Sequence, residues 1–203
     1  MSASDPDAEH EGRGRGPVVG PIPPGADPEA YDRLRRRVLW AMPSGLYVLG
    51  SRAGDRRNLM TVNWAMQVAL EPKLVVVSVE RAARSHVLVA EGGVFALSLL
   101  ARADRTLVRR FVKPVTDVEV DDAGDGTMHG EAVRGTRQGV PVLSAAVAWL
   151  ECAVTEQVDL GSHSLFVGEV TDCGFGPASA PAPPPGERLE VLRMEDTRMN
   201  YGG

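Results

Sequence analysis

The sequence predicts a mainly β fold, an antiparallel barrel with two or three short helices. Three observations carry that expectation. Strand-like runs outnumber helical ones, and most are short and bounded by turn residues. Two long β runs, 147–158 and 165–173, are joined by the compact connection Asp159-Leu160-Gly161-Ser162-His163-Ser164. Helical patterns do not alternate with strands as a doubly wound sheet would need. Closure into a barrel removes sheet edges, although periodicity alone does not separate a barrel from a sandwich.

Residues 1–26 hold Gly12, Gly14, Gly16 and Pro6, Pro17, Pro21, Pro23 and Pro24 with almost no apolar periodicity, and read as a disordered arm. A folded domain is expected over 27–175. Asp27-Pro28-Glu29 is an N-cap followed by proline at the first helical position. Tyr31, Leu34 and Val38 then mark one helical face, and Pro43-Ser44-Gly45 ends the helix. Strands are expected at 46–51, 59–68 and 74–79, the first two joined through Ala53-Gly54-Asp55-Arg56. A short helix over 85–91 closes at Gly92-Gly93, a strand covers 94–99, and a second helix over 102–111 carries Leu107, Val108 and Phe111. Residues 113–139, with Asp121, Asp122, Gly124, Asp125 and Gly126, read as a surface excursion with short edge strands at most. After the long β pair, 176–188 is a Pro/Ala-rich linker, and 189–203 a tail expected to pack on the barrel or on a dimer partner.

With 203 residues, of which 43% are hydrophobic, the chain suits one domain with a buried core. A net charge of -5 argues against a nucleic-acid or acidic-lipid surface. No apolar run is long enough to span a bilayer and no signal-peptide pattern occurs, so a cytoplasmic protein is expected. Cys152 and Cys173 are too far apart for a Cys-x-x-Cys pair, and His10, His86, His129 and His163 have no metal-ligand spacing, so no metal is expected. Rossmann, P-loop and nucleophile-elbow motifs are missing.

The most informative stretch is 57–80, RNLMTVNWAMQVALEPKLVVVSVE. A polar strand in which Thr61, Asn63 and Gln67 alternate on one side precedes the breaker Glu71-Pro72 and a wholly apolar strand. That many hydrogen-bonding side chains on one strand suggest a polar guest, although an exposed strand face is the plainer reading. The stretch resembles the flavin reductase-like family, the FMN-binding split barrels, with their G/N-x-M-T-x-x-W/S-x-x-x-V-S/A-x-x-P-x-L-V pattern. The Gly161-Ser162-His163 turn before Leu165-Phe166-Val167-Gly168 is similar to the family's G-D-H motif, with Ser162 in place of the aspartate. The similarity covers about residues 35–175.

The resemblance implies a split antiparallel β-barrel, a homodimer, and an NAD(P)H-dependent flavin reductase. Such an enzyme moves hydride from nicotinamide to FMN, or FAD, and can supply reduced flavin to a separate monooxygenase. It also implies flavin contacts from Thr61, Val62, Asn63, Trp64, Gln67, Val68 and Ser78. The loop Arg81-Ala82-Ala83-Arg84-Ser85-His86 supplies the flavin phosphate with Arg81, Arg84, Ser85 and His86 at a helix N-terminus, where free amides and the helix dipole favour an anion. The competing reading of that loop is a capped surface helix with solvated arginines. His163 is the implied catalytic residue, beside the nicotinamide; without the aspartate, its imidazole lacks a carboxylate to orient it. That departure favours the alternatives, a flavoredoxin-like FMN electron carrier or a non-catalytic flavin-binding dimeric module.

Overall fold

The structure, a computed structural model, describes residues 18, 20–176, 182–184, 186–197 and 199. Most of the expected N-terminal arm, half of the linker and the end of the tail lie outside the described residues. The chain divides into two compact units, one of residues 1–42 with 201–203 and one of residues 43–200.

In the first unit, α1 (Pro28–Trp40) begins as expected, with the Asp27 carboxylate accepting from Ala30 N at 2.7 Å and Pro28 in the first turn. None of its residues is buried, so the face marked by Leu34 and Val38 is open.

The second unit is built on a seven-stranded antiparallel sheet in the order β2-β1-β5-β10-β11-β4-β3. Its strands are β1 (Tyr47–Ala53), β2 (Arg56–Val62), β3 (Ala65–Ala69), β4 (Leu74–Glu80), β5 (Val94–Leu99), β10 (Ala148–Asp159) and β11 (His163–Phe175). The two outermost strands are consecutive in the chain and separated only by Asn63-Trp64. Such a sheet must curl until its edges almost meet. One extended run leaves β1 as β2, kinks, and joins β4 as β3. The single strand expected over 59–68 is therefore two strands with different partners.

The kink also reverses the facing of the side chains. Met60 and Val62 join the barrel interior before it and Ala65 joins it afterwards, so even positions give way to odd ones. Gln67 consequently lies on the opposite face from Thr61 and Asn63, which corrects the expectation of a one-sided polar strand. The interior is filled by Leu49, Val75, Val77, Val79, Phe95, Leu97, Cys152 and Phe166, with Val89 of α2 (Arg84–Gly92) packed among them. Two register shifts in the β10–β11 pair, at Glu151/Cys152 and Val154/Glu156, let these long strands bend around the core.

The segment expected over 113–139 as a surface excursion with short edge strands holds three short strands of a second sheet, completed by one beyond it. Strands β6 (Val118–Val120), β7 (Gly126–Met128), β8 (Glu131–Gly135) and β9 (Pro141–Leu143) pair in sequence. They place Met128, Val133 and Leu143 in a second buried cluster with Val48 and Leu59, on the outer face of β1 and β2. Gly50 lets β9 approach, because a Cβ there would lie 1.9 Å from Pro141 O. The helix expected over 102–111 is two short 3-10 turns, Arg102–Asp104 and Leu107–Phe111, whose Val108 and Phe111 complete that cluster. The tail packs on its own barrel: Leu192 N donates to Leu100 O (2.9 Å), Leu46 N donates to Leu192 O (3.3 Å), and the Leu192 side chain is buried.

Glu151 ties the β8–β9 connection to the barrel. Fully buried, it accepts hydrogen bonds from Thr136 Oγ1, Gln138 N, Gln138 Nε2 and Thr171 Oγ1. Burial alone would raise its pKa; the four donors outweigh that and hold it below the ordinary glutamate value.

Candidate functional site

One corner of the curled sheet collects five of the twelve residues expected to meet a ligand. Val75, Val77 and Val79 point inward from β4, so Ser78 between them points out. By the same alternation on β11, Phe166 and the buried Ser164 point inward and His163 points out. Ser78 N donates to Trp64 O at 2.9 Å, which holds the β2–β3 kink against this outer face. The Trp64 and His163 rings meet edge to face with centroids 5.2 Å apart. Asn63 is buried, and its side chain makes no hydrogen bond among the described residues.

His163 is the first residue of β11, paired with Glu80, rather than part of a loose turn. Its Nδ1 lies 2.9 Å from Ser162 Oγ, and its Nε2 is buried without a hydrogen-bond partner. The serine hydroxyl thus stands against the imidazole where the resemblance puts an aspartate, and Nε2 is left without a partner among the described residues. Arg81 N donates to Ser162 O at 2.9 Å, so the histidine turn and the arginine loop are one rigid piece.

Helix α2 starts at Arg84 with Ala83 as N-cap, and no side chain caps it. His86 N donates to Ala83 O at 3.0 Å, so the Arg84 and Ser85 amides are the ones left for solvent or an anion. Arg81 is exposed and forms no ion pair among the described residues, whereas Arg84 Nη1 donates to Val115 O at 3.1 Å. The hydroxyl of Ser85 is not at this surface. It is fully buried, 2.9 Å from Asn58 Nδ2 and 3.1 Å from Ser51 Oγ, and Asn58 Oδ1 in turn accepts from Val115 N. That network explains its burial: it pins α2 to β1 and β2.

His86 also points inward. Ser164 Oγ donates to Asp159 Oδ1 (2.6 Å), which leaves it to accept from His86 Nε2 (2.8 Å). Burial, assisted by Arg81 and opposed by Asp159, lowers the His86 pKa, so the ring is neutral at pH 7. Thr61 Oγ1 donates to Val108 O, Val62 lies in the barrel interior, Gln67 Nε2 donates to Ala69 O at 3.0 Å, and Val68 is exposed on β3. The corner therefore unites Asn63, Trp64, Ser78, Arg81 and His163, while Thr61, Val62, Ser85 and His86 support it from behind and Gln67 faces elsewhere. Sequence reasoning missed Ser51, Asn58, Asp159 and Ser164. Their only signal is the run of small polar residues in otherwise apolar strands.

These residues fit a flavin. An uncapped helix N-terminus beside a free guanidinium suits a phosphate, and an exposed indole beside an orphaned imidazole nitrogen suits a planar polar ring system. Among the described residues no cluster of three metal-ligating side chains occurs, and no helix is long and apolar enough to cross a membrane.

Comparison with known proteins gives the same direction. Residues 39–185 match the family model described as "Flavin reductase like domain". The chain is 32% identical to the NADH-dependent flavin reductase StyB of Pseudomonas fluorescens over 149 residues, 73% of this chain and 81% of that one. It is also 32% identical to an NADH-dependent FAD reductase of Streptomyces globisporus over 165 residues, 80% and 86% of the two chains. Among solved structures, BorF, the flavin reductase component of a bacterial two-component tryptophan halogenase, superposes with a TM-score of 0.60 at 31% identity, covering 70% of this chain and 86% of BorF. The chain belongs to the flavin reductase-like domain family.

Proposed function

We propose that this protein is an NAD(P)H-dependent flavin reductase that passes hydride from a nicotinamide to FMN, accepts FAD, and supplies reduced flavin to a separate monooxygenase. The observation that carries the reading is His163, held through Nδ1 by Ser162 with Nε2 buried and unpartnered among the described residues, its ring packed edge to face on Trp64. The NADH-dependent relatives and the two-component halogenase reductase support the reaction class and the hand-over of reduced flavin.

A bound flavin would supply the redox chemistry, as the acceptor of the nicotinamide's hydride. Arg81 and the Arg84 and Ser85 amides would hold the phosphate. Trp64 and Asn63 hold the ring system, with Asn63 offering the one uncommitted carboxamide of the corner. His163 Nε2 hydrogen-bonds the polar edge of the nicotinamide and so fixes its approach. Hydride transfer needs two atoms kept about 3 to 3.5 Å apart rather than a protein nucleophile, and these groups serve that positioning. Ser85 and His86 act indirectly, by fixing the helix start.

A second copy of the chain completes the site. Trp64, Met66, Val68 and Leu70 run along β3 and beyond with 39%, 64%, 48% and 75% of their surfaces exposed, an apolar strip beside the corner that a homodimer would cover. The reading places the protein in the cytoplasm, where NAD(P)H is available. The electron-carrier alternative drew on the absence of the aspartate; Ser162 meets that need, so the reductase is the better supported of the two.

Purified protein mixed with NADH or NADPH and with FMN, FAD or riboflavin tests the proposal. Catalytic oxidation of the nicotinamide with added flavin is expected. Bound flavin without nicotinamide oxidation would establish the carrier instead, and failure to bind any flavin would remove both.

A further inference from the structure

A cavity of about 370 Å³ opens at the end of the barrel away from the arginine loop. Leu97, Leu99, Leu150 and Val170 are among its apolar walls, Met66 of β3 lies at its rim, and Tyr47, Gln67 and Lys73 are its polar members. Its size falls in the range of small-molecule pockets, and a few polar groups at an apolar wall is the pattern that fixes a ligand's orientation. Of the residues expected to meet the flavin, only Gln67 lines it.

The polar members have a definite character. Lys73 is one of only two lysines in the chain, is exposed, and forms no ion pair among the described residues. Its backbone is held at the cavity, since its carbonyl accepts from Val170 N at 3.0 Å. The Tyr47 ring lies over Gly45, where a Cβ would come within 2.1 Å of its hydroxyl, and that hydroxyl has no hydrogen-bond partner among the described residues. Burial raises the phenol's pKa, so Tyr47 stays a neutral donor across the physiological range. Among the described residues no carboxylate lines the cavity. A mobile but unpaired ammonium and a spare phenol beside an apolar chamber select a molecule with an apolar body and one anionic end.

We propose that the barrel-end cavity is a second ligand site, which takes a small organic acid with its aromatic or branched aliphatic body against Leu97, Leu99, Leu150 and Val170 and its carboxylate toward Lys73 and Tyr47. The proposal does not depend on the flavin reading, since it uses neither the Trp64–His163 corner nor the arginine loop.

Ligand-detected NMR and isothermal titration of the full-length protein with naphthalene-2-carboxylate, and with the uncharged naphthalene-2-carboxamide, test it. Saturable binding is expected, with the acid tighter than the amide. Lys73→Gln should weaken the acid by about two- to fivefold and leave the amide unchanged, the range for an exposed ion pair. Leu150→Phe, which fills the chamber, should abolish binding of both; Lys73→Gln keeps the test decisive if that variant does not fold. Saturating FMN should leave the acid's affinity unchanged. Displacement of the acid by FMN, equal affinity for acid and amide, or no saturable binding would each overturn the proposal. Flavin reduction, followed separately, reports on the other site.

Discussion

Replacing Glu151 separates the worth of its charge from that of its hydrogen bonds. One oxygen accepts from Thr136 Oγ1 and from Gln138 N at 3.0 Å, the other from Gln138 Nε2 at 3.1 Å and Thr171 Oγ1 at 3.0 Å, with no surface exposed to water. In Glu151→Leu all four donors lose their acceptor. The threonine hydroxyls can rotate and the Gln138 side chain can swing outward, but Gln138 N is held by its backbone. With about 1–3 kcal/mol for the unpaired Gln138 amide and about 0.5–1.5 kcal/mol for each of the other hydrogen bonds lost, a loss of about 3–5 kcal/mol is expected. Glu151→Gln keeps one acceptor for Gln138 N and Thr136. Its NH₂ faces Thr171 Oγ1, which can accept, and Gln138, whose amide can flip, so a loss of about 1–2 kcal/mol is expected.

Urea unfolding followed by tryptophan fluorescence measures both losses. Two variants of equal stability, or both within about 0.5 kcal/mol of the parent, would refute the reasoning. The pH dependence has a definite sign. The folded pKa of Glu151 lies below the unfolded value of about 4.5, so the stabilisation is complete above that value. It is lost as pH falls through the folded pKa, where the unfolded chain has already taken up its proton. Glu151→Gln should flatten that acid limb.

Other outcomes follow from the site. Ser85→Ala should lower stability by about 1–2 kcal/mol while leaving flavin affinity within about twofold, because its hydroxyl bonds Asn58 and Ser51 internally; loss of flavin binding by a well-folded variant would return that hydroxyl to the phosphate. Arg81→Ala should weaken FMN binding by about tenfold and riboflavin binding hardly at all, measured by fluorescence quenching, and an equal loss for both would remove the arginine from the phosphate. A thiol reagent should label Cys173 quickly and Cys152 only after unfolding, since the first is exposed and the second is buried with its pKa pushed up to about 12. Rapid labelling of both in the native protein would contradict the packing.

The barrel was legible because its strands are apolar runs punctuated by turn residues: β5 lies where the sequence places it, over 94–99, and the two long strands differ only at their ends. The partner switch at Asn63-Trp64 was not legible, because an extended chain keeps its alternating pattern while tertiary pairing reverses its faces. Strands β6, β7 and β9 have three residues each, too few for periodicity to register. For the site, the motif residues Trp64 and His163 converge. Ser85 shows the limit of reading a serine at a helix start, since only packing tells a buried hydroxyl from a ligand donor.

The role of His163 is tested most directly by steady-state kinetics of His163→Ala with NADH, alongside equilibrium titration of flavin. With His163 as the nicotinamide contact, the KM for NADH rises several-fold while the flavin Kd stays unchanged. A weakened flavin Kd with an unaltered KM for NADH would contradict the assignment of the Trp64–His163 corner.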